Sequence, residues 1–276
     1  MQSNENQSIQ RPSLEQRAAE CERELTLSAT VAYKGSTFCG FAKQPGQLTV
    51  QGEIEQALAL LFRRDVPIVC SGRTDAGVHA LAQVVSFDID ECELRDRTLS
   101  SVARSLNALT HDDIAVVAVE RRPLGFSARF DAQWREYRYR ICAQSKPSVF
   151  TRDVAWHISQ PLDVEAMQEA SKYLIGEHDF KSFCMAASAI DKPTCRNVHE
   201  ISFSHEEMMG EEILVIKVVG NAFLHSMVRT IVGTLVAVGR GQRDPHWVKE
   251  VLEAKNRSAA GENAPACGLT FWHVEY

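Results

Sequence analysis

Hydrophobic and polar residues follow two different periods along this chain, and each period predicts a different kind of element. Alternating apolar and polar positions, together with short apolar runs, predict strands at 24–33, 66–70, 82–90, 113–121, 134–142, 153–158, 196–203, 212–219 and 269–276. Apolar residues spaced by three and four predict helices at 50–64, 99–109, 164–175, 222–239 and 246–254. Thr49 and Asp163 stand where two of these helices need an N-cap.

The order of these elements is nearly the same in the two halves of the chain. Each half approximates β-α-β-β-α-β, the ferredoxin-like unit, in which two helices cover one face of an antiparallel sheet. We therefore expect an α+β fold of two tandem ferredoxin-like units, forming a continuous, mainly antiparallel sheet with helices on one face. The uncovered face of so broad a sheet suits a large ligand. Residues 1–24 are expected to form a flexible polar tail, 25–148 an N-terminal subdomain and 149–276 a C-terminal subdomain.

The chain is acidic on average. It carries 30 Lys and Arg against 36 Asp and Glu, a net charge of −6, which excludes coating of nucleic acid through bulk positive charge. With 45% hydrophobic residues, the chain is expected to bury a sizeable core. The N-terminus lacks a hydrophobic signal region, and the longest apolar stretch, 227–239, is shorter than the roughly 20 residues that span a bilayer. We expect neither a targeting signal nor a membrane span.

Eight cysteines are scattered without paired C-x-x-C spacing, which predicts reduced thiols in a cytoplasmic protein. Four residues are of types that bind metal: His178, Cys184, Cys195 and His199. Zinc sites usually have two closely spaced ligand pairs, and the spacing of these four residues is looser. Buried thiols and surface imidazoles explain these residues better, and no metal is predicted.

A glycine-bracketed segment between two predicted strands is the first candidate for chemistry. Gly72 and Gly77 flank Arg73 and Asp75, so the backbone can turn sharply and a ligand can approach closely. Asp75 is a candidate catalytic carboxylate by this pattern. A turn-forming aspartate is the alternative that the local pattern leaves open.

A second candidate is the arginine-rich stretch 121–140, which holds six arginines and two acids, a net charge of +4, interleaved with aromatic residues. Guanidinium groups contact phosphates and aromatic rings stack on unpaired bases, so this mixture suits RNA. Strand alternation predicts two opposite faces, one with Trp134, Glu136, Arg138 and Arg140, the other with Arg135, Tyr137 and Tyr139. An amphipathic strand with a solvated basic face is the alternative.

The third candidate is the segment 221–229 at the start of the last long helix. His225 and Arg229 lie four residues apart and are expected to share a helix face. An arginine buried in a mostly apolar helix needs a partner, and a carboxylate such as Asp75 can supply one. The alternative is that Arg229 extends to solvent.

Taken together, these segments resemble the tRNA pseudouridine synthase A (TruA) family over about residues 25–276. The matching motifs, in chain order, are Y-K-G-S-T-F-C-G-F (33–41), T-V-Q-G-E (49–53), G-R-T-D-A-G-V-H-A (72–80), F-S-A-R-F (126–130), R-E-Y-R-Y (135–139), G-E-H-D-F (176–180), S-F (182–183) and F-L-H-S-M-V-R (223–229). The family commonly has other residues at three places, where this chain has Lys34, Phe41-Ala42 and Ser127. None of these departures touches the expected nucleophile, but they bear on how RNA is held.

The resemblance implies an isomerase that converts uridine to pseudouridine at positions 38, 39 and 40 of the tRNA anticodon stem-loop. It makes Asp75 the essential carboxylate, Arg229 its ion-pair partner and Tyr137 the ring that stacks on the target base, with Arg73 facing the RNA. It places the catalytic loop in the N-terminal subdomain, and the C-terminal subdomain completes the cleft. The RNA-binding residues it implies are His79, Arg129, Arg135, Arg138 and His225.

The resemblance also implies a homodimer that requires neither a cofactor nor a metal nor a protein cofactor, because no redox change or external nucleophile is involved. Two other classes remain to be weighed. A non-catalytic tRNA-binding or tRNA-folding protein is opposed by the presence of all four candidate catalytic residues: Arg73, Asp75, Tyr137 and Arg229. A glycoside-type hydrolase generally needs a second carboxylate, which the loop 72–80 does not supply.

Overall fold

Ten strands form one large sheet in the computed structural model, which describes residues 12–185 and 193–276. The strands are β1 (Leu25–Tyr33), β2 (Val69–Cys70), β3 (His79–Ile89), β4 (Ile114–Arg122), β5 (Trp134–Ala143), β6 (Trp156–Ile158), β7 (Gly176–Asp179), β8 (Cys195–Met208), β9 (Glu211–Gly220) and β10 (Leu269–Glu275). Their order is β4-β1-β3-β10-β5-β9-β8-β7, with β2 paired to β3 and β6 paired to β5. The fold is thus a mixed α/β architecture with a mostly antiparallel sheet.

The C-terminal strand joins the two halves of this sheet. β10 runs parallel to β3, with Thr270 opposite His79, and antiparallel to β5, with Phe271 opposite Tyr137. Because β3 follows the candidate catalytic loop and β5 carries Tyr137, the two candidate segments lie on either side of β10.

The helices of the described residues are α1 (Leu14–Glu20), α2 (Val50–Phe62), α3 (Glu91–Leu94), α4 (Leu99–Leu109), α5 (Val164–Ser171), α6 (Met227–Gly239) and α7 (Trp247–Ala254). The predicted caps are present: the Thr49 hydroxyl accepts from Gly52 N–H at 3.3 Å, and the Asp163 carboxylate accepts from Ala166 N–H at 2.9 Å. Apolar residues of α2, α4, α5, α6 and α7 bury in one core with the sheet. None of the helices in this part of the chain is long and apolar enough to cross a membrane.

Helix α6 begins at Met227, five residues later than the apolar pattern predicts. Ser226 adopts the left-handed conformation, with φ of +59° and ψ of 11°, which cannot continue a right-handed helix. The prediction that His225 and Arg229 share a helix face was therefore wrong, because His225 precedes the helix.

Part of the segment expected to be a flexible tail is a helix. Ser13 and Gln16 form a capping box at the start of α1, and Arg17 donates to the Asp131 carboxylate at 2.5 and 2.6 Å and to Gly125 C=O at 2.8 Å. These long-range bonds hold α1 against the 125–131 segment, so residues 14–20 form an ordered helix. Residues 1–11 lie outside the described part of the chain.

Candidate active site

The loop that joins β2 to β3 is fastened at its base by two buried polar side chains. Ser71 C=O accepts from Arg135 Nε at 3.2 Å and from Arg135 Nη2 at 3.0 Å. Gln83 of β3 donates to Gly72 C=O at 2.6 Å and accepts from the Ser71 hydroxyl at 2.5 Å. The first residues of the loop are therefore held rigidly to the sheet.

The tip of the loop is shaped by close backbone packing. Gly77 has φ of +81°, and Val78 N–H donates to Asp75 C=O at 3.1 Å, closing the turn. The segment after β1 packs against this turn, and its Phe41 N–H donates to Thr74 C=O at 3.1 Å. A Cβ on Gly35 would lie 1.9 Å from Val78 O, so only glycine permits this approach.

The loop presents the Asp75 carboxylate to the start of α6. Its Oδ2 accepts from Arg229 Nη1 at 3.0 Å and from the Ser226 hydroxyl at 2.8 Å. Its Oδ1 lies 3.2 Å from His225 Nε2. The Asp75 and Arg229 side chains are 21% and 17% exposed, so the pair is mostly shielded and still open to a ligand. The pairing that the sequence suggested for Arg229 is present.

Arg229 is held on its other side by the segment that precedes β10. Its Nε donates to Ala264 C=O at 2.8 Å, and Ala264 N–H donates to Arg229 C=O at 3.1 Å. The guanidinium therefore cannot turn away from Asp75 without breaking a bond to the backbone. This geometry excludes the alternative in which Arg229 extends to solvent.

Tyr137 lies between two aromatic rings, on the same side of the sheet as the Asp75 loop. The Phe223 and Phe271 rings meet it edge-on, with centroids 5.0 and 5.1 Å away. Tyr137 is 7% exposed, and burial raises the pKa of its hydroxyl well above the ordinary value. The hydroxyl therefore remains protonated at neutral pH and can donate a hydrogen bond.

Two exposed arginines flank the loop. Arg73 and Arg129 are exposed, and both lie near enough to Cys70 to oppose the effect of burial, which raises the pKa of that thiol to about 11. The Arg129 guanidinium also lies 5.5 Å from the Phe130 ring centre. Two exposed cations therefore lie at the candidate catalytic loop.

Two residues expected to bind RNA are instead buried parts of the scaffold. The Arg135 guanidinium donates to the carbonyls of Ser71, Ala132, Asn221 and Arg129. His79 Nδ1 accepts from Gly35 N–H at 3.0 Å, so its Nε2 carries the proton that bonds to Asp153 C=O at 3.0 Å. Burial lowers the pKa of His79. The structure thus places both side chains inside the scaffold, and their expected contact with RNA stays a prediction.

Arg138 lies on the opposite face of β5 from Tyr137, as strand alternation predicts. It donates to Glu136 at 2.7 Å and lies 3.7 Å from Glu206, and its guanidinium covers the Trp272 ring at 3.9 Å. It therefore lies on the face of the sheet opposite Tyr137, and its expected contact with RNA stays a prediction. The +4 charge of 121–140 does not make one basic patch.

Sequence reasoning missed two residues of the site, Ser226 and Gln83. The strand pattern around Gln83 gave no indication that this residue contacts the loop, because a single polar residue in a strand usually lies on the solvent side. Ser226 was read as part of a helix. No local signal marks a serine that departs from helical geometry to reach a carboxylate 151 residues away.

The three departures from the expected family pattern lie near the site in different ways. Lys34 is 3.6 Å from the Asp153 carboxylate, Phe41 is buried, and the Ser127 hydroxyl accepts from Phe130 N–H at 3.3 Å.

Within 12–185 and 193–276, no group of three or more His, Cys, Asp and Glu side chains is placed to hold a metal ion.

A family model described as tRNA pseudouridine synthase matches residues 29–131 and 170–276. The chain therefore belongs to the pseudouridine synthases, and it is an isomerase of that family.

Two relatives identify a particular family among the pseudouridine synthases. A Bacillus velezensis protein named tRNA pseudouridine synthase A is 44% identical over 254 residues, covering 91% of this chain and 99% of the relative. A Brevibacillus brevis protein of the same name is 46% identical over 255 residues, with the same coverage. The chain belongs to the tRNA pseudouridine synthase A family. A solved Cbf5-Nop10-Gar1 complex covers 80% of this chain and 56% of its own, but at 12% identity and a TM-score of 0.30 this likeness has no bearing on the fold.

Proposed function

We propose that this protein converts uridine to pseudouridine at positions 38, 39 and 40 of the tRNA anticodon stem-loop, with Asp75 as the essential carboxylate. The observation that carries the proposal is the pairing of Asp75 with Arg229 beside Tyr137 in a partly open site. Family membership supports the reaction type. The specific positions rest on the resemblance described above.

The proposed chemistry explains the residue types. The glycosidic C–N bond must break, the uracil must turn over while still held, and its C5 must join C1′ of the ribose. An ionised Asp75 attacks or stabilises the sugar or base during this sequence, and Arg229 Nη1 holds its Oδ2 by a hydrogen bond of 3.0 Å. The Tyr137 ring, packed between Phe223 and Phe271, is proposed to meet the base at its small exposed edge. The net reaction is an isomerisation, so it needs no cofactor.

Access to the target base requires local opening of the RNA. A uridine in a stem must be unstacked and turned out at a cost of about a few kcal/mol. Arg73 and Arg129 are the exposed cations beside the loop, and we propose that they hold the flanking phosphates. His225, with its side chain 48% exposed at the mouth of the site, is the third proposed RNA contact.

The proposal is tested with purified protein and an unmodified tRNA transcript carrying uridine at 38 to 40. Pseudouridine is mapped by chemical labelling for the unmutated chain, for Asp75→Asn and for the exposed control Asp112→Asn. We expect product at those positions from the unmutated chain and the control, and a loss of at least about a thousandfold in Asp75→Asn.

Three outcomes would contradict the proposal. Tight tRNA binding without product would favour the tRNA-binding alternative, and free uracil would indicate a hydrolase. Full activity in Asp75→Asn would show that another group is the essential carboxylate.

We also propose that the two halves are tandem ferredoxin-like units. The strand orders β4-β1-β3-β2 and β10-β5-β9-β8 support this, because each places the four strands of one half in the same arrangement. The second unit begins at β5 (Trp134–Ala143), so it starts within the proposed subdomain 25–148 and before the proposed subdomain 149–276. A cytoplasmic location is supported by the eight cysteines, all of which are free thiols.

We propose that the protein is a homodimer that pairs through a surface we call the polar sheet face. This face consists of Glu136, Arg138 and Arg140 of β5, Glu200 and Glu206 of β8, Lys217 of β9 and Trp272 of β10. Its three cations and three carboxylates alternate around a tryptophan, with Lys217 at 2.8 Å from Glu200. Balanced charges of this kind can complement a second copy across a two-fold axis.

Light scattering after size-exclusion chromatography tests the dimer. Lys217→Glu places like charges together and is expected to shift the protein toward monomer, whereas the double variant Lys217→Glu, Glu200→Lys restores opposite charges and the dimer. Lys249→Glu on the distant helix α7 is the control. A monomeric unmutated chain, or an unchanged mass in Lys217→Glu, would contradict this surface as the interface.

A further inference from the structure

The two oxygens of the Asp75 carboxylate have different surroundings. Oδ2 accepts two hydrogen bonds, from the Ser226 hydroxyl at 2.8 Å and from Arg229 Nη1 at 3.0 Å. Oδ1 faces His225, which precedes helix α6 and is about half exposed. One oxygen is therefore held by the protein scaffold, and the other is turned toward the mouth of the site.

Ser226 occupies an unusual position for a helix-capping serine. A serine before the first helical residue normally accepts a hydrogen bond from the second or third N–H of its own helix. Ser226 makes no such cap; its hydroxyl donates to Asp75 instead. The residue forgoes a stabilising local bond in favour of a bond to the candidate catalytic carboxylate.

The backbone of Ser226 aims this hydroxyl. With φ of +59°, the residue occupies a region that most side chains avoid and that glycine and asparagine tolerate best. The conformation is held because Ser226 C=O accepts from Thr230 N–H at 2.9 Å and from the Thr230 hydroxyl at 3.1 Å. Ser226 is also 9% exposed, so it contributes little surface for RNA to touch.

We propose that Ser226 is a positioning residue, which fixes the Asp75 carboxylate together with Arg229 and leaves Oδ1 turned toward the entering nucleotide. This inference rests on the proposed function and deepens it. Arg229 supplies charge from one direction, and the hydroxyl supplies a second donor that prevents rotation of the carboxylate about its Cβ–Cγ bond. In this arrangement His225 withdraws from Oδ1 when the nucleotide enters.

A pair of variants at position 226 separates positioning from a structural role. Ser226→Gly removes the hydroxyl and suits the left-handed backbone, so its thermal stability is expected to equal or exceed that of the unmutated chain. Ser226→Asn also suits this backbone, and its amide can donate to Asp75 in place of the hydroxyl. Both variants are measured for melting temperature, tRNA dissociation constant and single-turnover rate of pseudouridine formation at saturating enzyme.

The expected result is a rate that falls about tenfold or more in Ser226→Gly, the effect of losing one hydrogen bond to a charged group. The dissociation constant should change less than about twofold, since binding on the exposed surface is preserved. Ser226→Asn is expected to restore most of the rate. A loss in rate without a loss in stability or affinity is not produced by a merely structural residue.

Other outcomes would overturn the inference in distinguishable ways. An unchanged rate in Ser226→Gly would show that the hydroxyl does not position Asp75, while the proposed function would stand. A parallel loss of rate and affinity would make Ser226 a binding residue. Absence of pseudouridine with the unmutated chain would defeat the proposed function itself, and this inference with it.

Discussion

Individual residues in this protein show that the same side-chain type serves different purposes according to burial. Arg73 is exposed beside the loop, Arg229 is paired with Asp75, and Arg135 is buried among carbonyl oxygens. A buried arginine is stable only when its donors are matched by acceptors. Arg135 donates to four backbone carbonyls and so fastens the loop 72–80.

His79 supplies a prediction that depends on pH. Because burial lowers the pKa of His79 in the folded chain, the unfolded chain binds a proton more readily below the ordinary value of 6.5. Protonation then favours unfolding, so the stabilisation from neutral His79 is present above that value and decreases as the pH falls below it. Nδ1 can accept from Gly35 N–H only when the ring is neutral, so protonation removes that bond, whereas Nε2–H donates to Asp153 C=O in either form.

We expect His79→Asn to lower the free energy of unfolding by about 1–2 kcal/mol near pH 7.5, because one of these bonds is lost. The deficit should shrink as the pH is lowered to 5, since only the unmutated chain loses the contribution of a neutral imidazole. Thermal or urea unfolding of both proteins across this range measures the difference. A deficit that is constant from pH 5 to 7.5 would contradict the buried neutral histidine.

At the scale of elements, helix α6 and the segment before β10 act as one unit. The segment crosses the helix so closely that a Cβ on Gly233 would lie 1.9 Å from Glu262 O. It also supplies Ala264, whose backbone bonds to Arg229 at both N–H and C=O. The position of Arg229, the partner of Asp75, thus depends on the contact between helix α6 and the irregular segment before β10.

Gly233→Ala tests this dependence. Alanine in a helix interior usually stabilises by about 1 kcal/mol relative to glycine, but here the added methyl group meets backbone, and overpacking costs about 1–3 kcal/mol. We expect a lower melting temperature and a reduced rate of pseudouridine formation, because the displaced segment moves Ala264 away from Arg229. A variant more stable than the unmutated chain would show that the two elements separate freely.

At the scale of the whole molecule, the net charge is negative, but some arginines are exposed near the candidate site. The arginines of 121–140 are divided among separate places: Arg121 pairs with Glu91, Arg135 is buried, and Arg138 pairs with Glu136 on the opposite face. Arg73 and Arg129 remain exposed beside the loop. We infer that RNA is attracted by a small number of cations around one site.

This arrangement predicts the salt dependence of tRNA binding. Arg73→Ala and Arg129→Ala should each weaken binding and reduce the slope of log affinity against log salt by about 0.7–0.9, the contribution of one phosphate contact. Arg104→Ala, an exposed arginine on helix α4, is the control and should leave the slope unchanged. Equal slopes for all four proteins would place the RNA elsewhere on the surface.

Much of the secondary structure was determined by the sequence alone. Helix α4 has the predicted bounds, β1 and β5 differ from prediction by one residue at one end, and the Thr49 and Asp163 caps are present. These features depend on neighbours within about four residues, which a periodic pattern records directly. The short elements α3 and β7 were missed because four residues carry too few repeats of a period.

The identity of the loop 72–80 and the candidate status of Asp75, Tyr137 and Arg229 were also available from the sequence. Only the tertiary structure decided what each side chain contacts. Asp75 meets Arg229 across 154 residues of chain, and Arg135 finds acceptors on both sides of β5. The reason is physical: buried polar groups must satisfy their hydrogen bonds with whichever segments the fold brings near. That requirement placed Arg135 in the scaffold and brought the Ser226 hydroxyl to the carboxylate.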